Sequence, residues 1–459
     1  MKKLIASIAV GVLALSLAAC SPEASAGSGS KGAPGPEALE DADGVTTITL
    51  WHGFGNANGE ALDASISAFN AANAGKIHVN SSFQGSYTDL LAKYTAGLRD
   101  DSTPTVVISG DTTSGYLRDV QRSVSPEAMA KANPDDLDLS QIRPVGANYY
   151  GADGEMFAVP LAISTPVLWV NTDLLTQAGI DPKTDLKTIQ DVAAAAKRVK
   201  AKTGVSGLAG SFDGWWFEQI TAASGNSYCT PKNGRSGDGA TSLPLDAPAQ
   251  VDGLRSLVDV YTSGAGTDIG VDGNAAVTAF AAGQVAMMFN SSGAAGALDT
   301  SAPSFDFEAV PYPLSEGADP TEAGPVIGGA AMWLSSTATD AEKVAGWKLI
   351  SYLASAENQE SFSAATGYVP VNKGVDDLPA RRKYLASHPD AQTFVDQIDN
   401  TPSVTATAGC LSGAMTSIRA AVSAQMEAAI NGSVTLDEAL ANARTEADKA
   451  IEQYRTQLG

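Results

Sequence analysis

The stretch AVPLAISTPVLWVN, residues 158–171, decides the fold of this chain. It is an apolar run of strand length, which indicates a strand buried on both faces, although a short run alone does not exclude a helix. Pro166 argues against one unbroken central strand, because proline cannot donate a backbone hydrogen bond to a neighbouring strand. We interpret the stretch as a crossing from one α/β lobe to another, with the hydroxyls of Ser164 and Thr165 lining the cleft. A single kinked core strand is the alternative.

Upstream of the crossing, short apolar segments alternate with helical patterns. Residues 46–51, 77–80 and 104–108 have strand character, and apolar residues at helical spacing lie between them. This order predicts βαβ units and a mainly parallel sheet. Ligands of such sheets gather beyond the carboxyl ends of the strands. The loops that carry Tyr87 and Asp111 are therefore candidate cleft loops.

The first residues form a secretory signal. Met1-Lys2-Lys3 precedes an apolar segment that is too short for a stable membrane span. Leu17-Ala18-Ala19-Cys20 is similar to the bacterial lipobox. We therefore expect a signal peptide over residues 1–19, a lipid anchor on Cys20 in the cell membrane, and an extracytoplasmic location. A plain signal peptide with a chance cysteine is the alternative. Residues 20–44, rich in Ser, Gly and Pro, are expected to form a flexible tether.

Acidic residues outnumber basic ones. The formal net charge is −22, and removal of Lys2 and Lys3 with the signal makes it −24 (−22 − 2). Phosphate contacts require a basic surface, so we expect no nucleic-acid partner.

The cysteines indicate one cross-link. Once Cys20 carries lipid, Cys229 and Cys410 remain as an even pair in an oxidising compartment. We predict that they form a disulfide; two free buried thiols are the alternative.

No catalytic or metal-binding motif stands out in the sequence. His52, His78 and His388 lie in unrelated contexts, and there is neither a Gly-x-Ser-x-Gly elbow nor a His-Glu-x-x-His motif. Cysteine and histidine spacings fit no metal site. We therefore expect a binding protein without a cofactor rather than an enzyme. A secreted glycoside hydrolase is the rival class, since its two carboxylates leave no fixed spacing.

Several short motifs occur in an order that is similar to one protein family. They are Trp51-His52-Gly53, Gly85-Ser86-Tyr87, Ser164-Thr165-Pro166-Val167-Leu168, Phe280-Ala281-Ala282-Gly283, Ile327-Gly328-Gly329-Ala330 and Thr366-Gly367-Tyr368-Val369-Pro370. Together they resemble the solute-binding lipoproteins of carbohydrate-type ABC importers, over essentially the whole mature chain. Within that family the sequence is most similar to the glycerol-3-phosphate- and glycerophosphodiester-binding proteins.

The resemblance implies an α/β fold of two lobes, the type II periplasmic-binding-protein class, which closes on its ligand like a clamp. Residues 45–165 plus 322–375 would form the first lobe, and residues 166–321 plus 376–459 the second. The implied function is capture of a glycerophosphodiester such as glycerophosphocholine, or of glycerol-3-phosphate, by a monomer that delivers it to a membrane permease. A sugar- or oligosaccharide-binding protein of the same fold is the alternative.

The resemblance also implies where the ligand binds. Tyr87 and Asp111 would hold the glycerol hydroxyls, and Arg419 would bind the phosphate through charge-assisted hydrogen bonds. Further positions that match the family's site are Ser164, Ser291, Gly329 and Tyr368. A salt-bridged or solvated arginine and core tyrosines are the alternatives.

Two further features concern the size and polarity of the pocket. We expect one of the adjacent Trp215 and Trp216 to meet a choline headgroup by cation–π attraction and the other to be core, without a choice between them. Asp111 replaces a longer glutamate of the family, and Ile189 stands where the family has a tryptophan. Both replacements would enlarge the pocket and favour a ligand longer than glycerol-3-phosphate.

Overall fold

The computed structural model describes residues 33–210, 213–237, 239–270 and 272–458, so the predicted signal peptide and the predicted lipid site at Cys20 lie outside the described residues. The strands are β1 Thr46–His52, β2 Ile77–Phe83, β3 Val106–Gly110, β4 Gly151–Ala152, β5 Glu155–Met156, β6 Val159–Ser164, β7 Pro166–Asn171, β8 Leu208–Gly210, β9 Gly266–Asp268, β10 Met287–Ser291, β11 Phe307–Pro311 and β12 Gly328–Leu334.

The α-helices alternate with these strands in the first part of the chain and follow one another at its end. They are α1 Glu37–Glu40, α2 Asn56–Ala72, α3 Tyr87–Gly97, α4 Ser114–Asp119, α5 Pro126–Ala132, α6 Pro144–Tyr149, α7 Thr172–Ala178, α8 Ile189–Thr203, α9 Gly214–Ala223, α10 Pro248–Thr262, α11 Gly273–Ala281, α12 Ala295–Ser301, α13 Asp340–Leu353, α14 Ala356–Thr366, α15 Pro379–Ser387, α16 Pro389–Asn400, α17 Met415–Ile430 and α18 Leu436–Leu458. Within the described ranges, none of the helices combines the length and the apolar character that a membrane span requires.

The crossing predicted within residues 158–171 is present. β6 ends at Ser164 in a sheet of strand order β2-β1-β3-β12-β6, and β7 begins at Pro166 in a second sheet of order β11-β7-β10-β8-β9. Pro166 is the first residue of β7 and lies opposite Ser291 of β10. The proline thus stands at a strand end, where a missing N–H donor is tolerated.

Strand directions agree only in part with the predicted parallel sheet. β1 pairs in parallel with β2 and β3. β12, however, runs antiparallel to β3 and β6, and β7 runs antiparallel to β10 and β11. The prediction is wrong for these two strands because parallel pairing requires a crossover connection, usually a helix. No helix lies between β6 and β7 or between β11 and β12, so neither β7 nor β12 is reached through such a crossover.

The turn between β6 and β7 is tied to its surroundings by two polar side chains. Ser292 donates its backbone N–H to the Thr165 carbonyl (2.7 Å), and its hydroxyl accepts the Thr165 N–H (3.1 Å). Gln397 of α16 donates Nε2 to the Thr165 hydroxyl and to the Pro166 carbonyl. The Thr165 hydroxyl is therefore engaged inside the crossing, and the expectation that it lines the cleft beside Ser164 is wrong.

Part of the segment expected to be a flexible tether is folded. Residues 37–40 form α1, and Asn133 donates Nδ2 to the Pro34 carbonyl (3.0 Å). Leu39 packs against the hydrophobic core. The expectation of a flexible tether is therefore wrong for residues 33–40, which are held by the core contacts of Ala33 and Leu39 and by the Asn133 hydrogen bond.

Cys229 and Cys410 are joined in a disulfide, with their Cα atoms 5.6 Å apart. Both side chains are buried. The bond connects the loop that follows α9 to the segment that leads into α17, and the alternative of two free thiols is wrong.

Gly329 is held in a backbone conformation that other residues rarely adopt. Its φ is +132°, and a Cβ at this position would lie 1.9 Å from the Ala162 carbonyl oxygen of β6. We expect Gly329→Ala to lower the free energy of unfolding by about 3 kcal/mol, because it adds backbone strain and displaces a paired strand. Urea denaturation would measure the loss.

A matched control for this variant is Gly296→Ala in α12. Gly296 is exposed, and a Cβ there would meet no atom within 4 Å. This substitution should be neutral or slightly stabilising, since alanine favours a helix over glycine. If Gly296→Ala lost as much stability as Gly329→Ala, strain at Gly329 and contact with β6 would not explain the loss.

Candidate functional site

Arg419 forms a cluster of ion pairs with two acidic residues that are distant in the sequence. It lies in the second turn of α17 and donates Nη2 to Asp111 Oδ2 (2.8 Å) and to Glu218 Oε2 (2.5 Å), and Nε to the same Glu218 oxygen (2.9 Å). Asp111 directly follows β3 of the first sheet. Glu218 lies in α9, which packs with α17 and with strands of the second sheet. The cluster therefore joins structure on the two sides of the crossing.

A glycine at the start of α9 permits this approach. A Cβ at Gly214 would lie 2.4 Å from the Arg419 Cα atom. The preceding residue, Asp213, caps α9 by accepting the Trp215 N–H at Oδ1 (3.2 Å). A third carboxylate thus stands beside the cluster.

The charges of the cluster stabilise one another. Burial alone would lower the pKa of the Arg419 guanidinium, but Asp111 and Glu218 raise it well above its ordinary value. Burial raises the pKa of Glu218 and of Asp213, and Arg419 opposes both shifts. The Glu218 side chain is fully buried, whereas those of Arg419 and Asp111 are 16% and 14% exposed. Arg419 and Asp111 therefore border solvent, and Glu218 holds the guanidinium from the interior.

Four tyrosines lie within electrostatic range of Asp111. Burial, with Asp111 adding to it, raises the pKa of Tyr368 to about 12, and burial also raises the pKa of Tyr87, Tyr149 and Tyr150 well above the ordinary value. Their hydroxyls are protonated at neutral pH and can donate hydrogen bonds. The cluster thus combines one cation, an acceptor at Asp111 and neutral donors.

Aromatic packing fixes the position of Tyr87. A Cβ at Gly53 or at Gly110 would lie 2.5 or 2.4 Å from the Tyr87 ring, so both glycines allow the ring to lie against the ends of β1 and β3. The Phe54 ring lies next to those of Tyr87 and Tyr368, with centroids 6.4 and 6.3 Å apart. The structure therefore brings together Tyr87, Asp111 and Tyr368, and Arg419 joins them through Asp111. Their binding roles stay predictions.

Sequence reasoning missed three residues of this cluster. Glu218 lies inside a helix in no recognisable motif. Tyr149 ends α6 and Tyr150 follows it, shortly before the crossing; in the sequence, only the presence of two adjacent aromatic residues could have indicated them. The Tyr150 hydroxyl is buried without a hydrogen-bond partner among the described residues.

The two adjacent tryptophans point to different environments. A Cβ at Gly328 would lie 3.2 Å from the Ser164 hydroxyl oxygen and 3.4 Å from Cζ2 of Trp215. Trp215 therefore packs beside the crossing, and its Nε1 is buried without a hydrogen-bond partner in the described part of the chain. Trp216 instead packs in the second core against Phe289. Of the pair, Trp215 is the one beside Ser164.

The Ser291 side chain stabilises the local backbone. Its hydroxyl accepts the Gly293 N–H (3.1 Å) and caps the turn after β10. No hydrogen bond joins it to Arg419 or Asp111 among the described residues, and its binding role stays a prediction.

Ile189 does not belong to the cluster. Its side chain is completely buried in the second core, close to Gly253 of α10, and its backbone N–H donates to the Leu314 carbonyl (2.9 Å). The prediction of a pocket enlarged by Ile189 is therefore wrong, because the side chain faces the interior between helices. Only the shorter Asp111 still supports a roomier site.

Across the described ranges, His, Cys, Asp and Glu side chains nowhere form a group of three that could hold a metal ion.

Sequence comparison relates the chain to solute-binding proteins. Residues 64–393 match the family model described as bacterial extracellular solute-binding protein. The sn-glycerol-3-phosphate-binding periplasmic protein UgpB of Escherichia coli K12 is 28% identical over 421 residues, which cover 91% of this chain and 95% of that protein.

Solved structures share the fold. UgpB from Mycobacterium tuberculosis in complex with glycerophosphocholine superposes with a TM-score of 0.72 at 21% identity, covering 89% of this chain and 98% of that one. The sugar-binding protein MalE from Xanthomonas citri gives a TM-score of 0.74 at 20% identity, covering 90% and 99%. The fold is thus the two-lobed α/β fold of periplasmic binding proteins. The chain belongs to the bacterial extracellular solute-binding proteins, the substrate-binding components of ABC importers.

Proposed function

We propose that this protein captures a glycerophosphodiester, such as glycerophosphocholine, or glycerol-3-phosphate, and delivers it to the permease of an ABC importer. Residues 45–165 plus 322–375 act as one lobe and residues 166–321 plus 376–459 as the other. A lipid on Cys20 anchors the monomeric protein to the outer face of the cell membrane. Ligand capture is a population shift toward a closed state that the ligand stabilises.

The position of Arg419 is the observation that carries this proposal. Its guanidinium meets Asp111 from the other side of the crossing (2.8 Å) and is partly open to solvent. Within the described ranges, Nη1 donates no hydrogen bond to protein, so one edge of the guanidinium can meet a phosphate oxygen. Charge-assisted hydrogen bonds of this kind are strong and directional. The glycerol hydroxyls would then lie at Asp111 with Tyr87 and Tyr368.

Contacts across the crossing support closure of the lobes. Arg235 donates Nη2 to the Tyr149 carbonyl (2.7 Å) and Nε to the Gly151 carbonyl (3.0 Å). Together with the Asp111–Arg419 pair, these bonds would break if the two sides separated. A ligand that bridges Asp111 and Arg419 would add to the contacts that favour the closed state.

Sugar binding is the second candidate. A carboxylate surrounded by tyrosine donors also suits the adjacent hydroxyls of a sugar, and Arg419 is already paired with two carboxylates. In that case Arg419 would be a structural bridge rather than an anion site.

Calorimetric titration separates the two candidates. The chain from residue 21 onward would be titrated with glycerophosphocholine, glycerol-3-phosphate and maltose. We expect a phosphate-containing ligand to bind at least about tenfold more tightly than maltose, because only it engages the guanidinium edge. Binding of maltose alone would contradict the proposal.

Incubation with a candidate ligand tests for enzymatic activity. Recovery of the ligand unchanged is expected of a binding protein, whereas hydrolysis would indicate an enzyme.

A further inference from the structure

Glu218 is a fully buried carboxylate that holds the proposed anion-binding arginine. Both of its hydrogen bonds with Arg419 use one oxygen, Oε2, and they occupy the Nε–Nη2 edge of the guanidinium. Asp111 Oδ2 accepts a second hydrogen bond from Nη2. Nη1 therefore has no protein acceptor among the described residues, and the charge of the partly exposed Arg419 side chain is already matched by two carboxylates.

The charges around the site do not cancel. The carboxylates of Asp111, Glu218 and Asp213 lie in range of Arg419. A second guanidinium, that of Arg235, lies in range of Glu218, but its five hydrogen bonds all go to backbone carbonyls. Arg118 lies in range of Arg235, but its charge is cancelled by its partner Asp119. In their ionised forms the remaining three carboxylates and two guanidinium groups sum to −1. Tyrosines near Glu218 add no charge, because burial raises the pKa of Tyr149 and Tyr228 well above the ordinary value.

A net negative site discriminates among phosphodiesters. Each diester brings one negative charge, which a site of this sign repels unless the ligand also carries a positive group. Glu218 contributes most to this repulsion, since it has no exposed surface and solvent screens it least. Asp111 is partly exposed, and its Oδ1, which accepts no hydrogen bond from the described residues, can bind ligand hydroxyls instead.

We propose that Glu218 is a specificity-determining residue, which makes the site select zwitterionic glycerophosphodiesters with a cationic headgroup over diesters with a neutral headgroup. This inference rests on the proposed function, namely that Arg419 receives a phosphodiester. Glu218 acts through Arg419 and through its own charge, without touching the ligand.

The test compares two ligands on the wild type and on Glu218→Gln. Glycerophosphocholine has no net charge and glycerophosphoglycerol has a charge of about −1, and both contain one phosphodiester. The wild type should prefer glycerophosphocholine. Glutamine keeps an oxygen acceptor for Arg419 but removes the negative charge. The ratio of the two affinities should therefore fall by about tenfold, the size of one charge–charge interaction in a partly screened site.

The control is Asp399→Asn. Asp399 and Asp376 pair with Arg143, another buried arginine held by two carboxylates. Its neutralisation should leave the affinity ratio unchanged. A ratio that is also unchanged in Glu218→Gln, while both ligands bind, would overturn this inference but not the proposed function. Binding of neither diester to the wild type would overturn the proposed function itself.

A measurement on the wild type keeps the proposal testable if Glu218→Gln does not fold. Burial raises the pKa of Glu218 and of the neighbouring Asp213, so both become protonated before exposed carboxylates as the pH is lowered below neutrality. Both ligands keep their charge over this range. The ratio of the affinity for glycerophosphocholine to that for glycerophosphoglycerol should fall as the pH is lowered. A constant ratio would overturn the inference.

Discussion

Arg419→Ala is expected to weaken binding of glycerophosphocholine by about a hundredfold or more and to destabilise the fold. The variant removes the guanidinium edge proposed to meet the phosphate, and hydrogen bonds to charged groups are among the strongest in proteins. It also leaves Glu218, which is fully buried, without its partner. Loss of one member of a buried pair costs about 3–5 kcal/mol of stability. Calorimetry and urea denaturation would measure the two effects separately.

A double variant separates binding from folding. Arg419→Met combined with Glu218→Leu replaces the pair by apolar side chains of similar volume, which is often neutral or stabilising. We expect recovery of most of the lost stability with no recovery of binding. If the double variant bound glycerophosphocholine as the wild type does, Arg419 would be excluded as the anion site.

Arg444→Ala is the matched surface control. Arg444 also belongs to a late helix and has two acidic partners, Asp246 and Asp448, but at 3.8 and 3.7 Å and with its side chain 48% exposed. Such pairs contribute between zero and about 1 kcal/mol. Stability and binding should therefore stay close to those of the wild type.

The sequence predicted the parts of the molecule that local patterns encode. Residues 158–171 were predicted to form a crossing because Pro166 argues against one unbroken strand in this apolar run, and the two halves do enter different sheets. The alternation of strands and helices likewise predicted the parallel pairs of β1. The directions of β7 and β12 were not predictable in this way, because they depend on connections that pass between sheets rather than on local periodicity.

The resemblance placed Tyr87, Asp111 and Tyr368 near one another, but no sequence pattern could reveal Glu218. Its partner Arg419 is 201 residues further along the chain, and a single glutamate in a helix is usually solvated. The error at Ile189 has a related cause. A match in sequence position gives the identity of a residue but not the direction of its side chain, and here α8 directs it into the core.

Removal of the disulfide by Cys229→Ala with Cys410→Ala is expected to lower the free energy of unfolding by about 5 kcal/mol. The bond spans 181 residues, and closure of a loop of that length restricts the unfolded chain by an amount of this order. Urea denaturation of the double variant would measure the change. A loss below about 1 kcal/mol would mean that the unfolded chain is already constrained near these positions.

Binding should respond much less than stability to this change. Asn233 ties the same two segments together: its Oδ1 accepts the Cys229 N–H (2.9 Å) and its carbonyl accepts the Leu411 N–H (2.9 Å). Its Nδ2 also donates to the Thr405 carbonyl (2.6 Å). These bonds hold the approach to α17 independently of the sulfur atoms. The folded disulfide-free variant should therefore bind glycerophosphocholine within about threefold of the wild type, since the energy difference involved is below that of one hydrogen bond.

Asn233→Ala in the disulfide-free background tests this division of roles. Asn233 has a φ of +51°, a conformation that asparagine tolerates better than alanine, so the substitution removes the two side-chain hydrogen bonds, to Cys229 and Thr405, and adds strain. Without the disulfide and the two side-chain bonds, backbone hydrogen bonds such as that from Leu411 N–H to the Asn233 carbonyl are left to hold the approach to α17, and we expect Arg419 to shift from its position opposite Asp111. Binding should then fall by about tenfold or more beyond the effect of either change alone, as a coupling between neighbouring sites. Strict additivity of the two changes would mean that the disulfide and Asn233 do not act on the same segment.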